Sequence, residues 1–459
     1  MNQRRLNLLL SVFIICLNCY APERLWAQTF TTLYHFTRGS DGASPNSGLI
    51  LSGSMLYGTA YSGGNAGQGT IFKIATNGTG FTALHSFAGG GDGANPNAGL
   101  VLQSNTLYGT TVYRGTSSAG TVFKVNENGT GFTNVFSFAG AEGGANPLGG
   151  VIILSNILYG TACHSSPGAG TAFALNTDGA GFTNLYNFTG QNDGGNPKAG
   201  LTLVNNSLFG TTANGGLWSG GTVFSVNTDG TEFDTLYSFS GGDGATPSAE
   251  LILSGNTFYG TTAYGGIQGA GTVFSINTDG PIFTSLYNFT GAIDGANPAA
   301  GLILSGNTLY GTTTSGGTWG SGTIFAINTD GSGFRVLHHF TATVGTFLTN
   351  SDGAHPVAGL VMLGNTLYGS ASAGGKWGDG TLFSLTVPVP PQLTITSSGT
   401  DVILTWPTNF TGYKLQSATN LVSPTIWATV SPTPVIVNGL NTVTNPGNFG
   451  TKQFFRLSQ

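Results

Sequence analysis

The chain has 459 residues, of which 76 are glycine and only 7% are charged, with a formal net charge of −5. Hydrophobic residues at 39% and aromatic residues at 11% are too many for a disordered chain, and the glycines follow no Gly-X-Y period of the collagen kind. A weakly acidic, charge-poor surface also lacks the basic footprint that nucleic acid or an anionic membrane requires.

The first 27 residues carry Arg4 and Arg5, an apolar run through Leu8-Leu9-Leu10 and Val12-Phe13-Ile14-Ile15, and Leu25-Trp26-Ala27 before Gln28. This is the pattern of a secretory signal peptide over 1–27, and its apolar run is shorter than the roughly 20 residues of a membrane-spanning helix. The expected location is secreted, extracellular or on the outer cell surface. Cys16 and Cys19 follow large residues, which argues against a lipoprotein, and leave with the signal. Cys163 then stands alone, so no internal disulfide is expected.

From residue 28 to 386 the chain repeats. Tyr57, Tyr108, Tyr159, Phe209, Tyr259, Tyr310 and Tyr368 each precede a glycine, at separations of 51, 51, 50, 50, 51 and 58 residues. Twelve residues before each lies a proline: Pro45, Pro96, Pro147, Pro197, Pro247, Pro298 and Pro356. Periods of this size indicate a solenoid, propeller or array. Within one repeat, Leu251-Ile252-Leu253-Ser254, Thr257-Phe258-Tyr259-Gly260-Thr261-Thr262, Thr272-Val273-Phe274-Ser275-Ile276 and 283–289 are strand-length and rich in β-branched and aromatic residues. Glycine-rich and Asn-Thr-Asp-Gly turns separate them. Four short antiparallel strands per repeat describe a propeller blade.

The fourth strand type also occurs seven times, but its first copy, at 30–36, precedes every other strand. We therefore expect an all-β, seven-bladed β-propeller in which residues 30–36 complete the last blade by pairing with 381–385. Two-residue alternation predicts that Phe283, Tyr287 and Phe289 share one face of the outermost strand.

Residues 387–392 form a proline-rich linker. Beyond it, 393–396, 402–406, 413–416, 426–430, 435–437 and 453–457 read as strands of a small C-terminal β-sandwich over 393–459.

The repeated Gly-Asn-Thr-Leu-Tyr-Gly-Thr-Thr, followed by Gly-Gly, Gly-Thr-Val-Phe and Asn-Thr-Asp-Gly, resembles the bacterial GloVer tandem repeat of choice-of-anchor secreted proteins. The resemblance spans about residues 30–386. It implies an exported or surface-displayed propeller-like array with an exchangeable C-terminal attachment module, and it implies no reaction. Leu415-Gln416-Ser417-Ala418-Thr419-Asn420-Leu421 and Phe454-Phe455-Arg456-Leu457 are similar to the fibronectin-like tails of exported bacterial proteins.

By strand parity, the loop entering the first strand and the loop between second and third open on one face of the disc. This is expected to gather Asp41, Asp92, Asp193, Asp243, Asp294 and Asp352 around the central mouth, each four residues before its proline, with Gly143 after Glu142 in the third repeat. Calcium takes six to eight oxygens and each loop offers one carboxylate. The expectation is therefore an Asp bonding its own backbone in a turn, with no cofactor and no metal site, calcium being the alternative. Asp178, Asp229, Asp279 and Asp330 are hairpin chemistry on the opposite face.

Trp218, Trp319 and Trp377 take matching places on otherwise small-residue loops and are the candidate ligand-binding aromatics, able to stack on sugar rings or hold a protein. The plain alternative is that each covers a neighbouring loop. Departures from the repeat are Cys163-His164, Glu250 in place of glycine, His338-His339, His355 and the insertion at 344–350. Cys163 and His164, adjacent on a strand, face opposite ways. Glu250 is a lone acid without a predictable second carboxylate. The sequence thus reads as a monomeric binding or display module for carbohydrate or a cell-surface protein. A glycan-active hydrolase or lyase at the mouth and a structural envelope component are the alternatives.

Overall fold

The computed structural model describes residues 28–140, 143–165, 168–278, 282–387, 393–398, 401–408, 413–419, 427–446 and 453–458. Residues 1–27, expected to be a signal peptide, Glu142, Asp279 and residues 388–392, expected to be a linker, lie outside the described residues. These divide into two compact units, Gln28–Val387 and Pro388–Gln459.

Among the described residues, Gln28–Val387 forms seven four-stranded antiparallel sheets. In the fifth, Ile252–Ser254, Thr257–Thr262, Thr272–Asn277 and Phe283–Asn288 run from innermost to outermost. The Tyr-Gly-Thr motif has a packing reason. Gly260 pairs across the ladder with Phe274, and a Cβ there would come 2.6 Å from the phenyl ring. The glycine makes room for a fully buried Phe, and the same pair recurs in each sheet, as at Gly58 and Phe72.

The seventh sheet, Val361–Leu363, Thr366–Ala371 and Thr381–Thr386, takes its outermost strand from Thr29–His35, with Thr29 opposite Thr386 and His35 opposite Thr381. The N-terminal strand therefore closes the last sheet, as its isolated sequence position predicts. The hydrophobic core is correspondingly a circuit of seven clusters, each shared by consecutive sheets. One joins Tyr57, Ile71 and Phe87 to Leu107 and Phe123. Another joins Tyr368, Leu382 and Phe36 of the seventh sheet to Leu56 and Phe72 of the first.

Three repeated contacts run around this circuit. Near the axis a threonine or serine of each sheet donates to a backbone carbonyl of the next: Thr59 to Ala98, Thr110 to Gly149, Thr161 to Ala199, Thr211 to Ala249, Thr261 to Ala300, Thr312 to Ala358 and Ser370 to Ser47. A proline of one sheet abuts a glycine of the preceding one, from Pro96 on Gly69 round to Pro45 on Gly380. At the rim, rings of consecutive outermost strands stack nearly parallel, from Tyr34 on Phe81 at 4.0 Å to His338 on Phe30 at 3.9 Å. The repeated Pro, Gly and aromatic positions are thus junctions between sheets.

One expectation fails. Phe283, Tyr287 and Phe289 do not share a face, because the ladder slips between Val273 and Phe274 and leaves an extra residue on the outermost strand. Such a bulge reverses the alternation. Phe283 accordingly stacks back on Tyr237 of the fourth sheet, whereas Tyr287 stacks forward on Phe334 of the sixth.

The C-terminal unit has a four-stranded sheet, ordered Thr394–Ser398, Asp401–Pro407, Leu440–Pro446 and Val435–Val437, and a three-stranded one of Ala428–Thr429, Lys414–Ala418 and Phe454–Ser458. Leu404, Trp406 and Val443 of the first pack with Leu415 of the second, giving the sandwich its core. Strand Leu440–Pro446 is absent from the sequence expectation because of its Asn, Thr and Pro content. Asn438-Gly439, both at positive φ, was the hairpin signal for it.

Candidate functional site

Both loop families predicted for one face meet there, as the bridges Ala43 to Ser62 and Ala296 to Ser315 show. The Asp side chains accept from nearby turn backbone, as expected, but their direction differs from expectation. They do not ring the central mouth; each is drawn back onto its preceding outermost strand. Asp41 accepts from Tyr34 Oη at 3.2 Å, from the Thr37 amide at 2.9 Å and from Thr37 Oγ1 at 2.7 Å. Asp193 and Asp294 do the same with Tyr186 and Thr189, and with Tyr287 and Thr290. Asp243 accepts from Tyr237 Oη and the Ser240 amide. In two copies histidine replaces tyrosine: His85 Nε2 lies 3.3 Å from Asp92 and His338 Nε2 lies 3.0 Å from Asp352.

Sequence reasoning missed this pairing, although the signal was present. In the third repeat, where Gly143 replaces Asp, the partner position is Phe136, which has no donor. Donor and acceptor are lost together. Burial and the neighbouring carboxylate push the Tyr34 and Tyr186 phenols up to about 12, and Tyr237 and Tyr287 upward for the same reasons. Asp352, though buried, is held below the usual carboxylate range by His338 and Thr341. Carboxylates so engaged brace the junction between sheets.

Trp218, Trp319 and Trp377 are 69%, 57% and 51% exposed. Tyr264 and Phe347 add exposed rings on the same face. Trp218 borders an open cleft of about 650 Å³ that it shares with Leu217, Asn192, Asp193, Asp234 and Tyr237. The Trp377 loop is held differently. Arg38 Nε bonds Asp379 at 2.7 Å, His35 Nδ1 accepts from the Lys376 amide at 3.1 Å, and Lys376 Nζ lies 5.0 Å from the Trp377 ring centre. The insertion at 344–350 abuts this loop, with the Phe347 carbonyl against Gly378.

Glu250 lies two residues before the innermost strand Ile252–Ser254. Its counterparts are Gly48, Gly99, Gly150, Gly200, Gly301 and Gly359, and successive members of this set adjoin, so the seven positions encircle the axis. The Glu250 carboxylate lies over Gly200 and reaches toward Gly150. Its side chain is exposed to solvent, yet the protein packed around the axis still pushes its carboxyl above the usual range by partial desolvation.

The remaining departures do not converge. Cys163 is buried, its thiol donating to the Pro197 carbonyl at 3.2 Å and pushed up to about 12 by burial, while His164 is exposed. His338 points to Asp352 but His339 Nδ1 accepts from the Thr318 amide, so the dyad is split. His355 Nδ1 faces the Thr314 carbonyl at 2.9 Å. No group of three or more His, Cys, Asp or Glu side chains is arranged to hold a metal among the described residues. No helix among them is long and apolar enough to cross a membrane.

A family model described as the Gloeobacter/Verrucomicrobia repeat matches residues 24–166 and 158–383. The chain belongs to that family. No curated protein matches it. Among solved structures this Gloeobacter/Verrucomicrobia repeat protein is similar to an oligogalacturonate lyase in complex with manganese, at 11% identity over 78% of this chain and 93% of that chain, TM-score 0.46. It is similar also to a puromycin-hydrolyzing peptidase of Mycobacterium tuberculosis, at 11% identity over 78% and 57%, TM-score 0.48. TolB from Acinetobacter baumannii matches at 12% identity over 58% and 59%, TM-score 0.38. Likenesses this slight say nothing about chemistry.

Proposed function

We propose that this chain is an exported binding protein whose propeller presents an aromatic face to carbohydrate. The observation that carries the reading is the exposure of Trp218, Trp319 and Trp377 at one loop position in three sheets. The apolar face of an exposed indole is complementary to the C–H face of a sugar ring. The cleft beside Trp218 adds carboxylate and amide groups suited to sugar hydroxyls. Export is supported by the charged, apolar and small-residue pattern of 1–27, and the C-terminal unit is assigned a sorting or docking role. Glycan-array binding by residues 28–459, compared with the Trp218→Ala, Trp319→Ala, Trp377→Ala triple variant, tests the reading. Glycan signals that disappear in the triple variant support it; equal signals from both proteins would remove it.

A further inference from the structure

The exposed aromatics are not spread evenly around the disc. The loop between second and third strands carries Leu217-Trp218 in the fourth sheet, Tyr264 and Ile267 in the fifth, Trp319 in the sixth and Trp377 in the seventh. All are exposed, and the insertion adds Phe347 beside Trp377. The tryptophan position holds Ala66 in the first sheet and Ser117 in the second. Apart from Tyr113, the exposed aromatic side chains of the propeller therefore form an arc over four consecutive sheets, among the described residues.

Packed sheets stand roughly 10 Å apart, so Trp218 and Trp319, two sheets apart, are separated by roughly 20 Å or more. No mono- or disaccharide reaches both. Charge constrains the occupant further. The Trp218 end of the arc has Asp193 and Asp234 and no cation lining its cleft. The Trp377 end has Lys376, with Arg38 already engaged by Asp379. A polyanion meets repulsion at the first end and a polycation at the second.

Resting on the carbohydrate reading above, we infer that the ligand of this face is an extended, uncharged polysaccharide that lies along the arc and stacks on Trp218, Trp319 and Trp377 together. Several weak stacking contacts on one chain then act through effective concentration. Affinity depends on ligand length more than on any single pocket.

The test titrates the protein, residues 28–459, with cello-, xylo- and malto-oligosaccharides from two to about ten sugars. Affinity electrophoresis in the parent polymers, polygalacturonate and chitosan follows. The expected result is an affinity for one neutral series that rises at least tenfold with length and levels off once the arc is spanned. Each single Trp→Ala variant should weaken polymer binding about three- to tenfold, the scale of one aromatic contact. Disaccharide binding should change little in any single variant. Equal affinity for disaccharide and polymer would overturn the arc while leaving carbohydrate binding intact, and tighter binding to polygalacturonate or chitosan would overturn the uncharged ligand. Absence of binding to every sugar would overturn both readings. The tryptophans are exposed, so an unchanged melting temperature separates lost binding from lost folding.

Discussion

The carboxylate of Glu250 occupies the space in which Gly200 of the neighbouring sheet would place a Cβ. Gly200 has ordinary backbone geometry, so its constraint is the neighbouring side chain and not its own φ. Gly200→Ala should therefore cost no more than about 1 kcal/mol, because the clash is with the movable end of a solvent-exposed side chain. Glu250→Ala should be close to neutral, and the double variant should recover most of the loss, a coupling measurable by a denaturation cycle. Additive losses would show that the two residues do not share that space.

Closure of the ring by the N-terminal strand makes Phe30 equivalent to an interior residue. It stacks on His338 and Phe383, as Phe132 stacks on His85 and Phe123. Phe30→Ala should cost about 2–4 kcal/mol, as much as Phe132→Ala. Deleting 28–36 should abolish cooperative unfolding of the propeller. A markedly milder Phe30 variant, read by urea denaturation, would mean that the last sheet is held without its fourth strand.

The pairing of outermost-strand donor and loop Asp should behave as a unit. His85→Phe removes the side-chain donor facing Asp92 and should cost about 1–3 kcal/mol, because a partly buried carboxylate loses a partner. Adding Asp92→Gly reproduces the Phe136 and Gly143 combination of the third sheet. The pair should then cost less than the sum of the single changes, as thermal melts of all three variants would reveal.

Acid should weaken the propeller in two stages, the first set by histidines and the second by Asp352. Burial lowers the pKa of His35, His85 and His339, with nearby positive groups adding to it at His35 and His339 and Asp92 opposing it at His85. The unfolded chain thus binds protons that the folded one refuses. Their contribution is complete above the unfolded pKa of about 6.5. It is lost as pH falls below that value, levelling off beneath the folded pKa. Asp352, with a lowered folded pKa, contributes above the ordinary carboxylate value and loses this only as pH falls through its folded pKa. Denaturation midpoints at pH 8, 6.5, 5, 3.5 and 2 should therefore show two separate declines.

Cys163 should be silent toward thiol reagents in the folded protein. Its burial and a pKa raised to about 12 leave almost no thiolate at neutral pH. A chromogenic disulfide reagent should react with residues 28–459 only as fast as the third sheet opens. Rapid labelling without denaturant would contradict the packing around Pro197.

Much of this architecture is written in local sequence. Turn glycines, β-branched runs and the regular Pro to Tyr-Gly spacing specify a four-stranded unit wherever it occurs, because strand periodicity and turn chemistry act over a few residues. Even the closing strand was legible, since Phe30 begins a fourth-type strand with no sheet of its own. Positions that meet only across sheets were not. Two-residue alternation misplaced Phe283 relative to Tyr287, because a bulge is set by how the outermost strand must bend. The Asp loops were assigned to the mouth because a sequence does not show which way a carboxylate turns, and that was decided by a Tyr or His donor on the preceding strand.

The repeat itself, its strand content and the way its ends join are properties of the sequence alone, for their causes are local and occur seven times over. Only the tertiary structure decided that the tryptophans stay in solvent, that the aspartates brace the rim and that Glu250 shares space with Gly200. Those outcomes depend on the angle and spacing at which one sheet meets the next, quantities that no single repeat encodes.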